Sequence, residues 1–170
     1  MLGAPMETEL GHGLVKGEDG KRRCGWCVGT DDYVAYHDDE WGRPVTDDIR
    51  LYEKLCLEGF QSGLSWLTIL RKRDNFRAAF AGFDPTVVAT YGTDDVERLL
   101  SDAGIVRHRG KIEAAIANAS AMIAAQERYG SIASLIWSFE PKLRGRPVPT
   151  DLLDVPPRSD QSTAMAKAYA

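Results

Sequence analysis

Residues 96–119 read VERLLSDAGIVRHRGKIEAAIANA, and this stretch decides the fold. From Gly110 onward Ile112, Ala115, Ile116, Ala119 and Ile123 recur at the i, i+3, i+4, i+7 spacing of one helix face, and Gly130 stands where a C-cap belongs. A long helix is therefore predicted from Gly110 to Gly130. Upstream, Thr93-Asp94 is a start signal for a short helix that ends near Gly104. Between the two, Asp102-Ala103-Gly104-Ile105-Val106 turns into Arg107-His108-Arg109-Gly110-Lys111. A tight turn feeding a helix start presents unpaired backbone N–H groups. With Arg and Lys alongside, it makes a phosphate site that reads no base sequence. Arg107, Arg109, Gly110 and Lys111 are the candidate contacts, although ordinary helical hairpins share the pattern.

Toward the N-terminus, Thr46-Asp47-Asp48 supplies a cap and first-turn acids, and Leu51, Leu55 and Glu58 follow at i, i+4 and i+7. Glu58 is thus expected to continue an apolar stripe and point inward, with Tyr33, Tyr36, Trp41, Tyr52, Phe60 and Trp66 around it. A buried carboxylate among aromatic rings suits a flat, polar or cationic ligand such as a nucleobase. A structural carboxylate capping a neighbouring helix would occupy the same place. Ser65 then caps a helix with Trp66, Ile69, Leu70, Phe76 and Phe80 on its apolar side and Arg71, Lys72, Asp74 and Arg77 toward solvent. Asp84-Pro85 is a cap followed by proline at the first helical position.

Beyond Gly130, Ser131 caps a segment with Leu135, Ile136, Trp137 and Phe139, and Pro141 ends it. Residues 141–170 are expected to be a loop rich in Pro, Arg and Asp, followed by a helix from Ala164 to Ala170 that Ser162-Thr163 opens. So short a helix is marginal in water, which points to a further segment beyond it. Residues 1–22 are Gly-rich and polar and are expected to be a disordered leader. No stretch alternates with period two, so residues 23–140 are predicted to form an all-α domain behind an irregular N-terminal segment.

A length of 170 residues suits one core or two small lobes. The net charge of −4 is the wrong sign for a general polyanion binder, so nucleic-acid binding must rest on local clusters: Arg71-Lys72-Arg73 with Arg77, and Arg107 to Lys111. Three cysteines, an odd number, and no apolar signal region argue for the cytosol and against a disulfide framework. No apolar run reaches membrane-spanning length, and a monomer is expected.

Cys24-Gly25-Trp26-Cys27 admits a redox pair or half a zinc site. The redox reading wants a preceding strand, and the polar run Glu18 to Arg23 does not look like one. The zinc reading gains from His37 close downstream, since a thiolate and an imidazole are half of a tetrahedral shell. His12, His108 and Cys56 are the other donors, none at a matching spacing.

Taken together, R-C-G-W at Arg23 to Trp26, Y-x-x-Y-H-D-x-E-W-G from Tyr33 to Gly42, and L-E-G-x-Q-x-G-L-S-W from Leu57 to Trp66 resemble 3-methyladenine DNA glycosylase I. This is a helix-hairpin-helix family of base-excision enzymes. The match continues through Leu100, Gly104 to Ile112, and W-S-F at Trp137 to Phe139, with the hairpin near 94–119.

The resemblance implies hydrolysis of the N-glycosidic bond of 3-methyladenine in alkylated duplex DNA. Glu58 and Tyr36 would be catalytic and hydrogen-bond the flipped base, and Trp66 would stack on it. A catalytic Asp, usual after the hairpin in this superfamily, has no clear counterpart here beyond Glu113. The family's structural zinc has two of its ligands matched, Cys24 and His37. Its other two, a His and a Cys near the C-terminus, are absent from this chain, so a half site with weak metal binding is expected. A non-catalytic damage binder and a thiol redox protein are the rival readings.

Overall fold

Helix forms wherever apolar periodicity meets a cap in this chain, and the elements follow the caps closely. The structure, a computed structural model, describes residues 13–142 and 155–168. These fall into two units, Val45–Ser138 and the remainder. The divisions lie at Pro44/Val45 and Ser138/Phe139 rather than at 22/23 and 140/141.

The N-terminal unit opens with β1 (Leu14–Lys16), paired antiparallel with β2 (Arg22–Cys24) so that Leu14 faces Cys24. Residues 13–22 are therefore a hairpin and not a disordered leader; residues 1–12 lie outside the described residues. Three-residue strands are too short to show alternation, which is why period two was invisible in the sequence. A tight 3-10 turn (Gly25–Cys27) leads to α1 (Asp31–Asp39). Arg23 holds this hairpin to α1. Only 7% exposed, it donates to both carboxylate oxygens of Asp38 (2.7–3.1 Å) and of Asp19 (2.6 and 2.8 Å). Those hydrogen bonds hold Asp38 well below the usual carboxylate range and bring Asp19 down to about 2. In the C-terminal stretch α8 spans Asp160–Ala168, a turn earlier than expected, because Ser159 and Ser162 exchange reciprocal backbone-to-hydroxyl hydrogen bonds (2.9 and 3.0 Å).

In the unit Val45–Ser138, α2 (Asp48–Gln61) starts at Asp47, whose side chain accepts from Arg50 N. Ser65 caps α3 (Trp66–Ala79) by accepting from Thr68 N. A turn with Ala81, Gly82 and Phe83 all at positive φ (49°, 66° and 60°) then enters α4 (Pro85–Val88), capped by Asp84 with Pro85 at its first position. Positive φ is strained for the non-glycine pair, and it persists because Phe83 is fully buried with its ring stacked on Phe80 (5.5 Å, 4°). The hairpin follows as α5 (Thr93–Ser101) and α6 (Arg109–Tyr129), with Gly130 capping at φ 83°. Ser131 caps α7 (Ile132–Trp137).

Two interactions organise this unit. Tyr52, fully buried on α2, donates its hydroxyl to Ala115 O of α6 (2.7 Å), where Ala115 and Ala119 let the helices pack through small side chains. Asp48, in the first turn of α2, accepts from Gln126 of α6 and from the N–H groups of Ile132 and Ala133 at the start of α7 (2.7–3.0 Å). Burial opposes the charge on Asp48, yet those donors outweigh it and its pKa is lowered.

The buried acid of α2 is Glu53, 3% exposed, not Glu58, which is exposed. Glu53 is satisfied by Arg50 (2.8 Å) and by Arg77 of α3 (2.9 Å). Arg77 thus joins helices instead of facing solvent.

Replacing Glu53 by Gln should lower the stability of this unit by about 1.5–3 kcal/mol, the range for hydrogen bonds to charged groups, and toward the low end because both arginines are part exposed. Thermal denaturation checks it, and an unchanged melting temperature would contradict the assignment. The Arg23 clamp has an acid limit. Asp19 and Asp38 have depressed folded pKa values, so the clamp's contribution is complete above the unfolded carboxylate pKa of about 4. It fades as pH falls toward about 2, where Asp19 titrates. Near-UV circular dichroism of the Trp26 cluster should hold at pH 5 and collapse only below that carboxylate range.

Candidate functional site

Glu58 and Trp66 flank one short connection, the last turn of α2 and the first of α3, within the unit Val45–Ser138. The inward stripe of α2 consists of Tyr52, Glu53, Cys56, Leu57 and Phe60, all buried, whereas Leu55 is 39% exposed. The expectation that Glu58 points into the core is thus corrected: Leu51, Leu55 and Glu58 match helical spacing, but the more apolar row one residue along is the buried one. The consequence for chemistry is favourable, because an exposed carboxylate at a helix end remains open to a ligand. Trp66 is half-buried against the core, so one part of its indole is anchored and another is accessible. Tyr52 and Phe60 are core residues and do not line a ligand site with Glu58.

Tyr36 belongs to the other unit. There it is buried (8%) in a cluster with Trp26 at 6.4 Å and Tyr33 at 6.5 Å, while Trp41, 49% exposed, stacks on His37 (5.5 Å, 17°).

The hairpin is pinned from two sides. Gly104 N–H donates to Asp102 Oδ1 (2.7 Å), closing the turn. On α3, Lys72 donates to Ala103 O and Gly104 O (3.0 and 3.1 Å), with Asn75 also near Gly104 O (3.4 Å). A Cβ on Gly104 would lie 2.9 Å from Asp102 Oδ1 and 3.1 Å from Asn75, so a larger residue would have to displace the side chain that closes the turn. Lys72, predicted to face solvent, is therefore a brace. At the start of α6, His108 Nδ1 accepts from Lys111 N (3.2 Å), while the N–H groups of the exposed Arg109 and Gly110, in the first turn, have no acceptor within the helix.

The expected phosphate contacts divide. Arg107 and Gly110 are exposed. Arg109 is paired with Glu97 (2.5 Å), with Glu113 at 3.7 Å, which also occupies that acid. Lys111 is already engaged: its ammonium donates to Phe60 O (2.9 Å) and Ser62 O (2.5 Å). These brace contacts, between residues far apart in sequence, left no local signal.

Cys24 and His37 do meet. His37 Nε2 accepts from Cys24 N (3.4 Å), and its Nδ1 then donates to Asp38 Oδ1 (3.0 Å); the carboxylate fixes the tautomer, and a metal at Nε2 would have to displace the Cys24 N–H. Cys27 is turned away, its thiol donating to Cys24 O (3.1 Å), and burial pushes Cys56 up to about 12. Among the described residues no group of three or more His, Cys, Asp or Glu is arranged to hold a metal, so these donors fit half of a zinc shell and do not complete it. His12 lies outside the described residues.

A pinned basic hairpin thus stands beside a half-buried tryptophan and an exposed glutamate. The chain belongs to the methyladenine glycosylase family, whose model matches residues 26–170. It is 47% identical over 146 residues to DNA-3-methyladenine glycosylase 1 of Escherichia coli, spanning 86% of this chain and 78% of that protein. A crystal structure of 3-methyladenine DNA glycosylase I superposes with a TM-score of 0.78 at 48% identity, covering 86% of this chain and 80% of the other. A tyrosine-to-phenylalanine variant solved in complex with 3-methyladenine gives 0.77 at 33% identity, covering 86% and 79%.

Replacing Arg107 by Ala should weaken binding to all duplexes alike and lower the slope of log affinity against log salt by about one unit. Replacing Arg109 should cost less, since Glu97 already holds it. A loss confined to one sequence context would contradict a phosphate role.

Proposed function

We propose that this protein excises 3-methyladenine from alkylated duplex DNA by hydrolysing the N-glycosidic bond, the first step of base-excision repair. The observation that carries this reading is the turn between Glu58 and Trp66, held by Lys111 against the helix start that offers N–H groups to a phosphate. A relative a third identical in sequence takes 3-methyladenine itself, the ligand for which a stacking indole and a carboxylate are suited.

Methylation at N3 places a positive charge on the adenine ring. When water adds to C1′ and the C1′–N9 bond breaks, the bond's electron pair neutralises that charge, the base leaves without needing a proton, and water's proton passes to solvent. A strong general acid is therefore unnecessary, and selection of the cationic ring carries much of the task. Trp66 stacks on the flipped base, Glu58 favours the charged ring over neutral adenine, and Tyr36 is assigned to the base edge. Glu113 is set aside as the water-activating group, since it lies beside Arg109. DNA is engaged through Arg107, the first-turn N–H groups and, once freed from Glu97, Arg109. The protein acts as a cytoplasmic monomer in this reading. Cys24 and His37 are assigned to a structural zinc, which would tie the hairpin of β1 and β2 to α1. No catalytic step runs through the metal, and two donors alone predict weak retention, measurable by metal analysis after dialysis.

Replacing Glu58 by Gln removes charge and keeps shape. Excision from alkylated duplex should fall roughly ten- to hundredfold, the rate equivalent of about 1.5–3 kcal/mol, with the fold intact. Replacing Trp66 by Ala should weaken affinity for 3-methyladenine by about 1–3 kcal/mol of lost stacking. Wild-type base release by the Glu58 variant would remove that residue from the site, and failure of the unaltered protein to release 3-methyladenine would leave a damage-binding protein.

A further inference from the structure

Lys111 occupies an unusual position between two functions. It is the third residue of α6, the helix whose opening N–H groups have no acceptor within it, yet its side chain runs back to the end of α2. There its ammonium donates to two carbonyls, Phe60 O and Ser62 O, 51 and 49 residues away. Those carbonyls sit where a helix leaves its last groups unpaired and where the dipole is negative, so a cation is doubly suited. Within the connection itself, Ser62 N–H donates to Gly59 O and Leu64 N–H to Gln61 O, both local. Lys111 ties it to α6, 49 positions beyond Ser62 in sequence. Glu58 stands two residues before the first tied carbonyl, and Trp66 directly after the connection. The stem of Lys111, with Leu55, Gly59, Gly110 and Asn118, lines a cleft of about 140 Å³ between α2 and α6, so the tie borders open space and not packed core.

Resting on the reading of the function above, we propose that Lys111 is a positioning residue: it sets the distance and angle between the glutamate and the tryptophan and fixes them to the helix start that takes the phosphate. Seating of the base and engagement of the backbone then become one event, because movement of the start of α6 against DNA carries the connection from 59 to 65 with it. A lysine at this place would otherwise be taken for a phosphate ligand, and the two roles separate cleanly in experiment.

The test compares Lys111→Met and Lys111→Arg with the unaltered protein in three measurements: affinity for free 3-methyladenine by tryptophan fluorescence, affinity for undamaged duplex as a function of salt, and melting temperature. A positioning role predicts that the Met variant loses roughly tenfold in affinity for the free base, a size typical of coupling between two sites. Its salt slope on undamaged duplex stays unchanged, and the Arg variant, which can still donate to two carbonyls, recovers most of the base affinity. A slope lowered by about one unit with base affinity intact would make Lys111 a phosphate ligand and overturn the proposal. A lower melting temperature with base affinity intact would make it a fold brace only and overturn it equally, as would no change in any measurement. If the unaltered protein takes no 3-methyladenine, the functional reading falls first, an outcome distinct from a wild-type protein that binds the base as well as its Met variant does.

Discussion

The close contact between α2 and α6 is the constraint on which the unit Val45–Ser138 depends. Small residues on α6, Ala115 and Ala119, allow the helices to approach, and the Tyr52 hydroxyl bonds a carbonyl in the middle of α6. A buried phenol must find an acceptor, and this one fixes the axial register of the two helices as well as their separation. Register is what matters for the site. Slide α6 by one turn, and Lys111 no longer reaches Phe60 and Ser62, Asp48 no longer meets Gln126, and the opening N–H groups of α6 leave the connection between Glu58 and Trp66.

Around that contact, charge is used chiefly to join elements. Glu53 links α2 to α3 through Arg77, Lys72 links α3 to the hairpin turn, and Lys111 links α6 to the end of α2. Each side chain reads, in isolation, as part of a solvated or polyanion-facing surface. Together they make the hairpin and the connection between Glu58 and Trp66 parts of one framework, with Arg107 and the helix start the portion proposed to meet DNA. A chain of net charge −4 can bind a polyanion under these terms because few cations are needed at the surface if they are well placed.

Much of this was legible in the amino-acid order, and the portion that was not has a common cause. Caps announced themselves locally: Ser65, Asp84 with Pro85, Ser131 and Gly130 all do what their chemistry implies, since a cap's partner lies two to four residues away. Motif likewise singled out Glu58, Trp66 and Tyr36, and it paired Cys24 with His37, whose ring accepts from the Cys24 backbone N–H. What failed was the side of α2. Spacing alone fits Leu51, Leu55 and Glu58, and equally the row through Tyr52, Cys56 and Phe60. The second row is the more apolar, and the acid beside it, Glu53, is tolerated in the interior because Arg77 arrives from 24 residues further on. The same holds for Lys72, Lys111 and Arg109, whose partners at Ala103 and Gly104, Phe60 and Ser62, and Glu97 lie 12 or more residues away. The strands at 14–16 and 22–24 are too short for alternation to register, and Arg23, the residue that makes them worth forming, draws one of its two acids from α1.

Asp48 has a kinetic consequence. Its three partners lie 78, 84 and 85 residues along the chain, at Gln126, Ile132 and Ala133, so the first turn of α2 and the first turn of α7 close nearly the whole unit upon itself. Contacts of such separation carry the full entropic cost of a long loop before they return any stabilisation. The hairpin of α5 and α6, whose contacts are local, is positioned to form early, and the docking of α7 onto Asp48 to come late in the folding of the unit. In the native state the order reverses: the amides of Ile132 and Ala133, released as soon as α7 lifts, exchange with solvent ahead of those in the α2–α6 contact, which remain protected until the unit opens as a whole.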